Sequence, residues 1–283
     1  MIETTNKTKL FGIIGTPILH TLSPRMHSFM AKMCDLDLAY LAFDVTPENF
    51  DDVIKGVKKM GASGFNITAP HKISVMKHLD VVSDDARIMD SVNTIVNENG
   101  VWHGYNTDGD GFCESLLVEN CEIRGKNILM MGAGGSARSL CYRLSKYGAK
   151  SITITSRSMD KIHIIGDMVE KYTDTCFSDE FSKNKKYDIL INTTPVGMHP
   201  DENKNPCGFM DIVNENMTCV DIIYNPKKTL FLQEAEKKNA KIINGLGMLV
   251  LQGVLAFEKF TGVSLPIKET YNELMNLFSE FKI

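Results

Sequence analysis

One segment restricts the fold more than any other. Near the middle of the chain the apolar run Lys126-Asn127-Ile128-Leu129-Met130-Met131 meets Gly132-Ala133-Gly134-Gly135-Ser136-Ala137. A short strand, a glycine turn and a helix start together receive a dinucleotide pyrophosphate, on backbone N–H groups and the positive end of the helix. Gly132 permits the tight turn, Gly134 lets the backbone approach the phosphates, and Ala137 lets the helix lie close on the strand. A glycine turn alone also fits a plain strand–helix connection. Its surroundings favour the nucleotide: a helix is predicted from Ala137 to Tyr147, Gly148 stands at its C-cap, and a second strand follows from Ser151 to Thr155. That strand ends in Ser156-Arg157-Ser158, not in an acidic residue. A carboxylate there would hold a ribose 2′-hydroxyl, whereas an Arg flanked by hydroxyls suits a 2′-phosphate. The expected cofactor is therefore NADP(H). Arg157 also reads as a solvated surface charge, and Lys161, a helical turn further on, as a second cation or a water-facing one.

With 283 residues, 43% of them hydrophobic, the chain can bury the cores of two domains. Its net charge of -4 argues against non-specific nucleic-acid binding. No apolar run is long enough to span a bilayer, and the N-terminus lacks a signal-peptide pattern. The seven cysteines include no C-x-x-C pair and read as reduced packing thiols of a cytoplasmic protein. The histidines show no zinc-ligand spacing, so no metal is expected.

Strand and helix signals alternate from the start, which predicts an α/β protein with mostly parallel sheets. Strands are expected at Leu10 to Ile14, Leu38 to Val45 and Phe65 to Thr68, and helices from Pro24, Pro47 and Pro70. Val92 to Asn97 and Val101 to Tyr105 read as a hairpin around Glu98-Asn99-Gly100. Later strands fall at Tyr187 to Asn192, Thr218 to Tyr224 and Lys241 to Asn244, and last helices at Met248 to Thr261 and Ile267 to Phe281. These helices cannot extend a finished nucleotide domain without another strand, so they are expected to return to the first one. The predicted division is 1–107 plus 245–283, an α/β substrate domain, and 108–244, a doubly wound Rossmann-type domain, with small-molecule chemistry in the cleft between them.

Three loops of the N-terminal half carry polar groups beside strand ends. Thr21 and Ser23 precede the helix opened by Pro24, where a helix N-terminus with hydroxyls receives a carboxylate; Ser23 reads equally well as an N-cap. Alternation puts Asn66 and Thr68 on one strand face. Lys72 falls in the first turn of the helix expected from Pro70, where the dipole disfavours a cation and should lower its pKa; it also reads as a solvated lysine. Asn93 and Asn106-Thr107-Asp108-Gly109 cluster around the hairpin, Asp108 as a helix N-cap or a partner of Lys72.

At this point the sequence resembles the shikimate dehydrogenase family along essentially its whole length. The resemblance rests on Gly15 to Pro24, Asn66 to Lys72, Ser91 to Thr94, Asn106 to Gly109, Gly132 to Gly135, Asn192 to Met198, Tyr224 to Pro226 and Gly245 to Leu249. It implies reversible NADPH-dependent reduction of 3-dehydroshikimate to shikimate, in chorismate and aromatic amino acid biosynthesis. By the same resemblance Lys72 and Asp108 form the catalytic pair. Asn66, Asn93 and Gln252 bond the ring hydroxyls; Thr21, Ser23 and Thr68 take the carboxylate side; Tyr224 lies near the carboxylate end. Thr193, Met198, Gly245 and Met248 border the nicotinamide, the turn Gly132, Ala133, Gly134, Gly135, Ser136 and Ala137 takes the pyrophosphate, and Ser156, Arg157, Ser158 and Lys161 take the adenosine phosphate side. Three residues depart from the family pattern: Thr21 where Ser is usual, Ser156 where Asn is frequent, and Lys161 where Arg is common. They leave open a quinate/shikimate dehydrogenase with relaxed cofactor use. A shikimate-sensing protein without chemistry is the alternative from another class, and a homodimer stays open.

Overall fold

Among the described residues, alternating strand and helix segments assemble into two sheets of six strands each. The computed structural model describes residues 4–18 and 20–279; Leu19, inside the first polar loop, and residues 280–281 of the last expected helix lie outside them. Contacts divide the chain into two units, Met1–Thr107 with Gly253–Thr270, and Asp108–Gln252 with Tyr271–Ile283.

The first unit contains β1 (Lys9–Gly15), α1 (Ser23–Met33), β2 (Leu38–Asp44), α2 (Pro47–Lys59), β3 (Gly64–Ile67), a 3-10 helix (Ser74–His78), β4 (Val81–Val82), α3 (Asp84–Ile88), β5 (Thr94–Glu98) and β6 (Val101–Tyr105). The sheet order is β2-β1-β3-β5-β6-β4. β1 runs parallel to β2 and β3, while β5 runs antiparallel to β3 and β6. Asn99 and Gly100, at φ 55° and 91°, make the left-handed two-residue turn that matches strand twist in a hairpin. Ile14, Phe50, Phe65, Ile95 and Trp102 form the core of this unit.

The helix expected from Pro70 is absent. His71 N–H closes a local turn on Thr68 O at 2.9 Å, and the carbonyl of Lys72 accepts from Val92 N–H at 2.9 Å, so a residue 20 positions away takes the acceptor that a helix would need. Helical pairing begins only in the short 3-10 segment, and the dipole argument for Lys72 falls with the helix.

The second unit contains α4 (Asp108–Val118), β7 (Asn127–Met131), α5 (Gly135–Lys146), β8 (Ser151–Thr155), α6 (Met159–Tyr172), β9 (Cys176–Ser178), β10 (Ile189–Asn192), β11 (Thr218–Asp221), α7 (Leu230–Glu236) and β12 (Lys241–Ile243). All its strand pairs are parallel, in the order β12-β11-β10-β7-β8-β9. Counted from β7, that is the doubly wound order 3-2-1-4-5-6, which reverses direction between β7 and β10. β7 and β10 are apolar and buried nearly throughout, as strands covered on both faces must be.

Two helices follow, α8 (Leu246–Thr261) and α9 (Ile267–Ser279). The contact division differs here from the expected return of 245–283 as one block, because it gives 253–270 to the first unit and 245–252 with 271–283 to the second. The reason is local packing. Gly247 lies against Ser115 of α4, and the Tyr271 hydroxyl donates to Glu119 at 2.7 Å. Gly253 instead lies against Met26 of α1. No helix among the described residues is long and apolar enough to cross a membrane.

Candidate active site

The point of reversal in the parallel sheet is where such folds bind ligands, outside the carboxyl ends of the strands. Here the glycine turn follows β7 and the 193–198 loop follows β10. Gly132 sits at φ 102°, a backbone that L side chains rarely adopt, and a Cβ there would stand 2.6 Å from Thr193 Oγ1. Gly134 and Gly135 have open space where a side chain would stand. α5 starts after Gly134 with no side-chain cap, so the first N–H groups of the helix are left for an external acceptor. Ala133 and Ala137 are buried, and Ser136 is half-buried. These features fit a pyrophosphate: a narrow turn, bare backbone and an unfilled helix N-terminus.

The second expected cluster lies where β8 gives way to α6. Ser156 and Ser158 are half-buried, Arg157 and Lys161 exposed, and α6 begins after Ser158 with no side-chain cap. Two cations and an open helix start suit a phosphate on the ribose. Thr193 is held by donation from its hydroxyl to Met131 O at 2.8 Å, while Met198 stays 46% exposed. Gly245 donates its N–H to Ile223 O at 3.0 Å, and any side chain there would collide with the Ile222 backbone. Tyr224 and Met248 are half-buried; burial raises the Tyr224 phenol above its ordinary range. Gln252 donates to Leu249 O at 2.8 Å within α8 and lies against Gly111 of α4. Asp108 is the first residue inside α4, not the residue before it, and is 7% exposed.

In the first unit the expected groups form a hydrogen-bonded chain. Thr21 donates from its hydroxyl to Ser23 Oγ at 3.2 Å, and Ser23 N–H donates back to Thr21 Oγ1 at 3.3 Å. Ser23 is the first residue of α1, and the cap position belongs to Leu22, which offers no side-chain acceptor. Its hydroxyl is therefore not spent on capping. Asn66 donates from its amide to Asn93 O at 3.1 Å and to Thr94 Oγ1 at 3.2 Å, and its Oδ1 accepts from the Tyr40 hydroxyl at 2.7 Å. With both amide hydrogens engaged, Asn66 has only a carbonyl lone pair to offer a ligand hydroxyl. Asn93 donates to Thr107 Oγ1 at 2.9 Å and accepts from Thr107 N–H at 2.8 Å. Thr68 and Lys72 are half-buried at the end of the same strand and in the turn beyond it.

Sequence reading passed over two supports of this chain. Tyr40 is 3% exposed, and its ring stacks on His27 at 4.1 Å between centroids. Burial drives the His27 imidazole down to about 3, with the nearby Asn66 amide acting the other way, so the ring is neutral at physiological pH. Burial also raises the Tyr40 phenol well above its usual range, with the Ser23 hydroxyl opposing, so it remains a donor. Thr94, fully buried, links Asn66 to Asn93 through its hydroxyl, which donates to Asn93 Oδ1 at 2.9 Å. The inward strand position of Tyr40, an aromatic with a polar tip, was the signal available.

Sequence profiles described as the shikimate dehydrogenase substrate binding domain, the shikimate / quinate 5-dehydrogenase and the shikimate 5'-dehydrogenase C-terminal domain match residues 13–95, 116–227 and 245–275. The chain is 44% identical over 276 residues to the shikimate dehydrogenase (NADP(+)) of Methanococcus aeolicus, covering 96% of this chain and 99% of that one. A crystal structure of a shikimate dehydrogenase in complex with NADP+ superposes with a TM-score of 0.87 at 41% identity, covering 97% of each chain. The shikimate 5-dehydrogenase of Thermus thermophilus, in complex with NADP(H) and shikimate, gives 0.84 at 30% identity, covering 94% of this chain and 99% of that one.

Proposed function

The chain belongs to the shikimate dehydrogenase family, and from that premise we propose that it is an NADP-dependent oxidoreductase interconverting 3-dehydroshikimate and shikimate in aromatic amino acid biosynthesis. The observation that carries this reading is the bare glycine turn at the reversal of a 3-2-1-4-5-6 sheet, followed one strand later by Ser156-Arg157-Ser158 in place of an acidic residue.

NADPH, when bound, supplies the hydride that reduces the ring carbonyl carbon. Gly132, Ala133, Gly134, Gly135, Ser136 and Ala137 would hold its pyrophosphate, Ser156, Arg157, Ser158 and Lys161 its 2′-phosphate, and Thr193, Met198, Gly245 and Met248 would border its nicotinamide. The remaining work falls to side chains. Lys72, as ammonium, donates a proton from Nζ to the oxygen on which negative charge develops; in the reverse direction its neutral amine takes that proton back. Asp108 accepts a hydrogen bond from a substrate hydroxyl. The lone pair of Asn66 Oδ1 accepts from a second, and Asn93 and Gln252 complete the ring contacts. Thr21, Ser23 and Thr68 bind the carboxylate through their hydroxyls, and Tyr224 closes that end. Seven cysteines, none of them bridged, fit a cytoplasmic enzyme.

The test is to follow nicotinamide reduction with shikimate or quinate, each with NADP+ or NAD+. We expect the highest kcat/KM for shikimate with NADP+. A higher value for quinate with NAD+ would select the quinate/shikimate reading, and shikimate binding without any turnover would select a sensor.

A further inference from the structure

Asp221, the last residue of β11, is fully buried and has no part in the chemistry above. Its carboxylate accepts three hydrogen bonds: from the Thr229 hydroxyl to Oδ2 at 2.7 Å, from the Asn192 amide to Oδ1 at 3.0 Å, and from Ile223 N–H to Oδ1 at 3.0 Å. The donors come from three stretches: the end of β10, the turn after β11 and the N-cap of α7. Asn192 passes the connection on. Its Oδ1 accepts from the N–H and hydroxyl of Thr194 at 2.9 and 2.7 Å. Thr193, between them, bonds Met131 O and stands against Gly132. Direct contacts thus lead from Asp221 to the first glycine of the phosphate turn.

Stability does not account for a carboxylate at this place. Its partners are an amide, a hydroxyl and a peptide N–H, with no cation among them, and burial pushes its pKa up to about 6. Near neutral pH the fold therefore keeps a charge that burial opposes and that its three donors offset only in part. What a carboxylate offers, and an amide does not, is acceptor capacity on both oxygens for donors arriving from both sides.

We propose that Asp221 is a positioning residue for NADP(H): by gathering Asn192, Ile223 and Thr229 it fixes the 193–198 loop against the glycine turn. This rests on the cofactor reading above. Removing the charge should loosen cofactor binding and spare the fold.

The experiment compares the unaltered chain with Asp221→Asn in NADPH titration by nicotinamide fluorescence, thermal midpoint without ligand, and KM for shikimate at saturating NADP+. We expect the NADPH Kd to rise about tenfold, the effect of one hydrogen bond lost or misdirected. The midpoint should hold or rise, and the KM should stay within about twofold, below the effect of a lost bond. Thr229→Val should raise the Kd in the same direction, and Thr229→Ser, which keeps the hydroxyl, should restore it; this pair carries the test if Asp221→Asn does not fold. Equal NADPH affinity in the unaltered chain, in Asp221→Asn and in Thr229→Val overturns the inference alone. So does a loss in Thr229→Val that Thr229→Ser fails to restore. No NADPH binding by the unaltered chain overturns the cofactor reading with it, a result distinct from equal binding by all.

Discussion

In the first unit the groups proposed to face the substrate are side chains held by other side chains. Asn66 is fixed by Tyr40, Thr94 and the Asn93 carbonyl, and Asn93 by Thr107. In the second unit the groups proposed to face the cofactor are largely backbone. Gly132 supplies a left-handed turn, Gly134 and Gly135 supply empty space, and α5 and α6 both start without side-chain caps. The chemistry of the two ligands accounts for the contrast. A hydroxylated ring has a distinct donor and acceptor pattern that only placed side chains can match. A pyrophosphate offers a ring of acceptors that peptide N–H groups satisfy without sequence-specific atoms. Removing atoms should therefore damage the first site, and adding them should damage the second.

The largest effect we expect comes from removing one atom group in the first unit. Lys72→Ala should lower kcat by roughly 10²–10⁴-fold, the usual contribution of a positioned proton donor. Kd for NADP+ and the thermal midpoint should stay where they were. A variant that keeps most of its turnover would erase the catalytic assignment; one that loses NADP+ affinity instead would break the division of labour. The second unit is tested by addition. At Gly134→Ala the new methyl enters open space on a backbone of φ -84°, so the fold should hardly notice. NADP+ affinity should still fall on the order of 10–100-fold, because the methyl occupies the approach to the phosphates. Gly132→Ala serves as its contrast. There the positive φ and the Thr193 hydroxyl make the fold lose about 1–3 kcal/mol as well. Calorimetry beside a cofactor titration separates the two glycines.

The same contrast governs how much of the molecule was legible in its sequence. The nucleotide unit was read nearly whole, because a glycine turn after an apolar strand is a local pattern, and β8, β10, β11 and β12 follow it in chain order. β9 and α7 escaped, having too few residues to show a period, and the 14-residue α6 entered only through Lys161, a helical turn past Arg157. In the first unit the sequence named the polar residues but not the contacts that hold them. Pro70 carried the ordinary mark of a helix start, yet Val92 N–H claims the Lys72 carbonyl and His71 Nε2 bonds Val45 O at 2.7 Å. Those partners lie 20 and 26 positions away, beyond any window of local propensity. Tyr40, Asn66 and Thr94 likewise come from three different strands, and only pairing of the sheet brings them together. Asp221 was invisible for the same reason, since its donors begin on a neighbouring strand.

The smallest of these effects tests whether that unseen support matters. Tyr40→Phe deletes one hydroxyl and leaves the ring in place on His27. Asn66 Oδ1 then loses its donor in a site only 5% exposed, at a cost of about 1–2 kcal/mol in stability. The amide keeps its bonds to Asn93 O and Thr94, so it does not swing free, but its carbonyl is no longer held from both sides. KM for shikimate should rise several-fold, about what one neutral hydrogen bond contributes, while Kd for NADP+ stays unchanged. Because burial keeps the Tyr40 phenol protonated, the ratio of variant to unaltered KM should be flat across neutral pH. A KM that does not move would mean that Asn66 is held well enough by its two donor bonds. The first unit would then depend on its side-chain network for folding, not for recognition, and the contrast with the second would narrow to Lys72 alone.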